Sequence, residues 1–253
     1  MRGRIKISML VDMTRHLRTL MVGLIALLAL ALSACSSGTS SESSSSAAPS
    51  TSATSSTSPE AATPAPFPAS ARFMADTEAD GKKMAIGISV DGDSVTAYAC
   101  NGVDDEAWFF GTRNGDDIGI TSKFRDTLKA SFTGTDLTGD LVMNGVTYRF
   151  TAPQVSGAAG MYTAALDGVR ASWIVRPDGT VTGVQFNGGV SGRDFEQAQL
   201  QQLNTAQFQA QVRSKRLLQQ ADQNVKLGNG TLTSKINGRD VTGTLVTGTT
   251  RFG

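Results

Sequence analysis

Three acids in a row, Asp104, Asp105 and Glu106, stand just before Trp108, Phe109 and Phe110 in the segment GVDDEAWFFGT. Carboxylates beside aromatic rings suit sugar binding, and a glycosidase needs two carboxyls about 5–10 Å apart. Adjacent residues on a strand, however, point to opposite faces. The segment therefore reads as a solvated turn followed by a core strand. Asp91 and Asp93 in VDGDS, and Asp116 and Asp117 in RNGDDIG, offer oxygen ligands for calcium. They show neither EF-hand spacing nor a nonapeptide calcium repeat, so turns are expected there and no metal site.

Other catalytic groups are scarce. The only histidine, His16, lies in an N-terminal segment read below as removed. The remainder has no imidazole base, no Ser-His or Cys-His pair and no His metal ligand. No P-loop, dinucleotide fingerprint or Cys-rich metal spacing occurs. Cys100 lies in the alternating stretch SVTAYAC and reads as a buried small hydrophobe. No cofactor and no catalytic residue are expected. Asp105 and Cys100 are the groups on which a minor, enzymatic reading would rest.

The second cysteine, Cys35, has a different setting. Residues 1–18 carry Arg2, Arg4, Lys6, Arg15 and Arg18 against one acid, Asp12, and are followed by the uncharged TLMVGLIALLALALSA. A basic start, a short apolar core and small residues before a cut describe a secretory signal peptide. The apolar core is shorter than the roughly 20 residues a spanning helix prefers. No two arginines are adjacent, which argues against twin-arginine export. Met13 would serve as a start as well as Met1, with the same processed chain.

The closing LSAC, Leu32 to Cys35, resembles the lipobox of bacterial lipoprotein precursors. The resemblance implies cleavage behind Ala34 and lipidation of Cys35 by a diacylglyceryl thioether, with palmitate among the acyl chains. Two or three chains on one residue hold a protein stably at a membrane, where one is marginal. The wider layout of lipobox, Ser/Thr/Pro stalk and Gly-rich body is similar to surface lipoproteins of actinobacteria such as mycobacteria. That likeness carries no functional residue other than Cys35.

Of the chain's 23 Lys and Arg and 22 Asp and Glu, five bases and one acid fall within 1–34, leaving an excess of three acids. Nucleic acid is not an expected partner, since its binders show a basic face. The expected partners are the membrane, through Cys35, and an envelope lipid or protein.

Stepping along the chain, the spacing predicts five segments: a signal at 1–34, Cys35 with a disordered linker at 35–70, a β-rich body at 71–190, an amphipathic helix at 191–228 and a C-terminal hairpin at 229–253. The linker SSGTSSESSSSAAPSTSATSSTSPEAATPAPFPAS cannot bury enough apolar surface to order itself, and its Ser/Thr/Pro content suits O-glycosylation. As a coil it spans about 30–35 Å, and fully stretched about 115–125 Å.

In the body, Asn-Gly or Asp-Gly pairs recur at 91, 101, 114, 144, 167, 178 and 187, separated by short alternating segments. Such pairs accept the positive φ that tight hairpins need. The aromatic residues of these segments, from Phe73 to Phe186, are expected mostly inside. TLKASFTGTDLTGDLV at 127–142 and TLTSKINGRDVTGTLV at 231–246 match at eight of sixteen positions, through duplication or through the shared demands of hairpins.

Between these lies a Gln-rich stretch without Pro, in which Phe195, Leu200, Leu203, Ala206, Ala210, Leu217, Leu218, Ala221 and Val225 fall within about 140° of helical arc. It reads as one long helix capped by Asp194 with Gln197 and ended by Gly228. The expected fold is thus mainly β with one long α-helix, an antiparallel meander closed into a barrel or a two-sheet sandwich, the helix packed across it. The expected function is that of a lipid-anchored, extracytoplasmic binding or scaffold domain of the cell envelope, without catalysis. A carrier of lipid, with a cavity under the helix, is the alternative, and a carboxylate-based enzyme a lesser one.

Overall fold

Each of those Asn-Gly and Asp-Gly pairs falls at a strand end or between strands in the computed structural model, which describes residues 65–252. The signal at 1–34, Cys35 and the linker up to residue 64 lie outside the described residues. Asn144-Gly145 and Asp167-Gly168 have both φ positive, at 49° and 79° and at 51° and 78°, the geometry of tight two-residue hairpins. Asp80-Gly81 and Asn237-Gly238 turn the chain in the same way.

Eight strands close a meander barrel: β1 (Ser70–Ala79), β2 (Lys82–Asp91), β3 (Ser94–Cys100), β4 (Glu106–Asn114), β5 (Asp117–Thr121), β6 (Thr127–Phe132), β7 (Asp136–Met143) and β8 (Val146–Val155). The seam sets Arg72 opposite Val155 and Phe73 opposite Gln154. Alternation sends one side chain in two to the interior, where Phe73, Ile86, Ile88, Phe109, Leu128 and Leu141 are among those that fill it. An eight-stranded barrel is narrow enough for side chains alone to occupy its centre.

Outward-facing residues divide the barrel in two. Along β5 and β6 they are exposed or half-buried, as the alternating TLKASF requires. On β2 and β3 they are buried too, because a second sheet lies on that side. Met74, Tyr98, Cys100 and Trp108 from the barrel meet Met161, Ile174 and Val184 of that sheet. Gly87 makes the approach feasible: a Cβ there would sit 2.5 Å from Cγ of Met161.

The second sheet holds β9 (Gly160–Leu166), β10 (Val169–Val175), β11 (Val181–Phe186), β12 (Leu218–Gln220), β13 (Lys226–Gly228), β14 (Thr231–Ile236) and β15 (Arg239–Leu245). Its order is β12-β11-β10-β9-β15-β14-β13. Seven flat strands would place the edges about 29 Å apart. Yet the chain passes from Gln220 on one edge to Lys226 on the other, a step that spans at most about 21 Å. The sheet must therefore curl, and residues 221–225 strap its mouth. Ala221, the first residue of the strap, is buried beside Trp173 and Tyr162. The strap is tied down by Asp222, whose carbonyl accepts from Trp173 Nε1 at 2.8 Å and Ser234 Oγ at 3.1 Å.

The expected long helix over 191–228 is not formed. Instead α1 (Gly192–Leu200) and α2 (Thr205–Gln211) are followed by a single 3-10 turn at Arg213–Lys215 and then by β12. The cap of α1 is Ser191, with Asp194 accepting from its backbone N–H and hydroxyl, rather than Asp194 itself. Gln202 adopts φ of 50°, which ends α1, and Asn204 with Gln207 forms a fresh capping box for α2. The apolar stripe does not act as one face. Phe195, Leu203, Phe208 and Val212 gather around Phe124 of the barrel, whereas Leu200 and Leu217 are 83% and 58% exposed. Pairing of Leu218–Gln220 with the free edge of β11 satisfies backbone groups that a lone helical turn would leave to solvent.

The two helices cap one end of the barrel. At the other end the last linker residues are ordered, contrary to the expected disorder through 70. The Phe67 ring lies 4.7 Å from that of Phe132 and 6.0 Å from that of Phe73, with the Arg113 guanidinium 4.9 Å over it. The two similar hairpins are both present but pair differently: Leu128 faces Leu141, whereas the aligned Leu232 faces Gly243. This favours the shared demands of hairpins over duplication.

Candidate functional site

The acidic triplet is where the structure departs most from a solvated turn. Asp104 is exposed and accepts from Asn101 Nδ2 at 2.9 Å. Asp105 turns toward the helical cap, taking Arg213 Nη2 at 2.7 Å and Arg216 Nη2 at 2.9 Å. Glu106, 2% exposed, turns the other way into the barrel–sheet interface. One of its oxygens accepts from Arg170 Nη2 at 2.6 Å and the other from the Tyr98 hydroxyl at 3.0 Å. Strand alternation thus sends the two neighbours to opposite sides, and each meets arginine in place of water. A carboxylate with both oxygens engaged in this way is a structural tie.

Arg170 is itself enclosed. Its guanidinium lies 5.2 Å from the Phe186 ring, 5.3 Å from Phe252 and 5.9 Å from Trp108, a set of cation–π contacts. Arg170 Nε and Trp108 Nε1 are buried without a hydrogen-bond partner. On the cap side, Asp126 is fully buried. It accepts from the backbone N–H of Asn144 and stands 3.3 Å from Arg213 Nε. Burial raises its carboxyl above the ordinary range, outweighing the opposing pull of Arg213. Burial also pulls Arg216 below its usual value.

Cys100 is wholly buried against Tyr98 and Met74, and burial pushes its thiol up to about 12. Such a group stays protonated and is a poor nucleophile. The phenol of Tyr98 is held well above its usual value, first by burial and then by Cys100 and Glu106. Of the acids weighed for calcium, Asp91 takes Ser70 Oγ and the Gly248 N–H, both at 2.7 Å, and Asp93 pairs with Arg113 at 3.1 Å. Asp117 accepts from Ser131 Oγ. Among the described residues no group of three or more His, Cys, Asp or Glu side chains converges in a way that could hold a metal.

Surface clefts remain as places for a ligand. One, of about 380 Å³, lies where β1 enters the barrel, between Arg72, Asp91 and Thr247. A second, of about 510 Å³, lies over Cys100 and is crossed by the Arg176–Asp76 pair, with Nε to Oδ2 at 2.7 Å. A third, of about 520 Å³, opens beside the strap of the second sheet, between β11, β12 and the β14–β15 turn. Residues such as Arg170, Arg213, Asp126 and Gln185 were not marked by sequence reasoning. Arg170, at the head of the buried strand segment RASWIV, is a local signal that could have marked a buried pair. Comparison with known protein families, curated proteins and solved structures yields no match.

Proposed function

We propose that this protein is a lipid-anchored module of the cell envelope that binds or scaffolds through the outside of its folded body, without catalysing a reaction. The observation that carries the reading is the LSAC sequence at the end of a signal-like segment, followed by a Ser/Thr/Pro tract. Under this reading Cys35 holds the acyl chains and the tract is a tether. The body hangs from Phe67, whose ring packs into the barrel mouth.

The packing supports surface binding over carriage within the barrel, since Phe73, Phe109, Leu128 and their neighbours occupy its interior. The arginine pairs on Asp105 and the buried thiol of Cys100 favour a structural role for the groups an enzyme reading would have used.

The test is Cys35→Ser in the native host. The unaltered protein should take up labelled palmitate and partition into the detergent phase. The variant should lose the label and appear unprocessed or in the aqueous phase. Unchanged partition of the variant would overturn the anchor.

A further inference from the structure

The third cleft has an unusual lining. Six of its ten residues are carboxamides: Gln185, Gln219, Gln220, Gln223, Asn224 and Asn237. A carboxamide donates and accepts through one planar group, which matches the paired donor and acceptor character of neighbouring hydroxyls. The two charged residues of the lining, Asp222 and Lys235, are of opposite sign, and Lys235 lies 3.6 Å from Asp240. Neither an anion nor a cation is favoured by that balance. Ala221 is the sole apolar side chain of the lining and is 2% exposed, so a peptide side chain or an acyl chain finds no apolar pocket.

Three of the six amides are also held in place. Gln185 is 2% exposed, and its Nε2 donates to Asn187 Oδ1 and to Asn237 Oδ1, both at 2.8 Å. With both N–H groups spent, Gln185 keeps only its oxygen to offer, while Asn237 in the lining keeps its two N–H donors and a second lone pair. Asn237 is fixed by the hairpin turn, at φ of 50°. Asn224 is fixed by its own Nδ2 and backbone N–H, which donate to Asp222 Oδ1 at 3.1 and 2.9 Å. These three rest on a strand, a turn and a strap tied to Trp173, so a ligand need order only the exposed Gln219, Gln220 and Gln223.

We propose that this amide-lined cleft binds a neutral glycan, holding a short run of sugar rings through their hydroxyls. Its volume lies within the usual range of ligand sites, about 300–1,000 Å³. The inference rests on the reading of the chain as an envelope binding module and names the ligand class for it.

The chain has two tryptophans, so the full-length protein in a mild detergent micelle gives two indole N–H resonances. Titration with maltotriose, cellotriose and chitotriose should shift the Trp173 resonance saturably for at least one sugar, because its N–H is bonded to the strap. Gln223→Ala, on the exposed side, and Gln185→Met, on the buried side, should each weaken that sugar about tenfold. No shift with any of the three at millimolar concentrations, or a shift that both variants leave unchanged, overturns the proposal. Co-sedimentation with insoluble cellulose or chitin, competed by the trisaccharide, assigns a polymer as ligand, whereas binding of the trisaccharide alone assigns a free sugar. Sugar binding together with unchanged detergent partition of Cys35→Ser would sink the anchor and keep the cleft. Anchoring without sugar binding would do the reverse.

Discussion

The two tryptophans occupy chemically different niches. Trp173 Nε1 donates to the Asp222 carbonyl, whereas Trp108 Nε1 is buried with no partner. A buried donor without a partner costs about 1–3 kcal/mol. Replacing Trp108 by Phe removes that cost while keeping a ring for the stack with Tyr98, whose centroid is 4.4 Å away. Trp173→Phe removes a made bond instead. Trp173→Phe should therefore destabilise the fold by about 1 kcal/mol more than Trp108→Phe in urea unfolding. A larger cost for Trp108→Phe would mean that its lost packing dominates. Cys100 is buried as SVTAYAC suggested, but not through alternation: it shares a strand face with Ser94, Thr96 and Tyr98, and the second sheet covers that face. The fate of Glu106 was not legible, because its partner Arg170 stands 64 residues away in the chain.

At the scale of elements, the β body could be read from its punctuation. Asn-Gly and Asp-Gly act locally, through the φ values they tolerate, and so they place turns without knowledge of the rest of the fold. The stretch 191–228 could not be read in the same way. Its helical periodicity is real over Phe195, Ala198, Phe208 and Val212, but the free edge of β11 takes Leu218–Gln220 as a strand. Tertiary pairing overrides a weak local preference. The Asn204–Gln207 capping box starts α2 afresh, and it has a testable weight. Asn204→Ala should cost about 1 kcal/mol of stability, read by thermal or urea unfolding. An unaltered midpoint would show that α2 is held by the packing of Phe208 alone.

For the whole molecule, the cap of helices is fastened to the barrel through Asp105, Asp126, Arg213 and Arg216. Asp126 makes this fastening pH-dependent. Its carboxyl is raised in the fold, so the protonated form is favoured there. The stability it adds is therefore fully present below the ordinary carboxylate range and is lost as pH rises through the raised value. Asp126→Asn removes this titration. The midpoint difference between variant and wild type should shift in favour of the variant as pH climbs through that window. A difference that is flat with pH would show that Arg213 compensates Asp126 fully.

The sequence by itself determined most of the strands and turns and the small apolar content of the linker, because each depends on periodicity, on local φ preference or on composition. Only the tertiary structure decided how fifteen strands divide between a closed barrel and a curled second sheet. The partition rests on contacts such as Gly87 against Met161 and on the pairing of β15 with β9, which join residues far apart in the chain. The amide cleft is of the same kind. Gln185, the run from Gln219 to Asn224, and Asn237 are ordinary polar residues where they stand in the sequence, and only the curling of the sheet under its strap brings their side chains together.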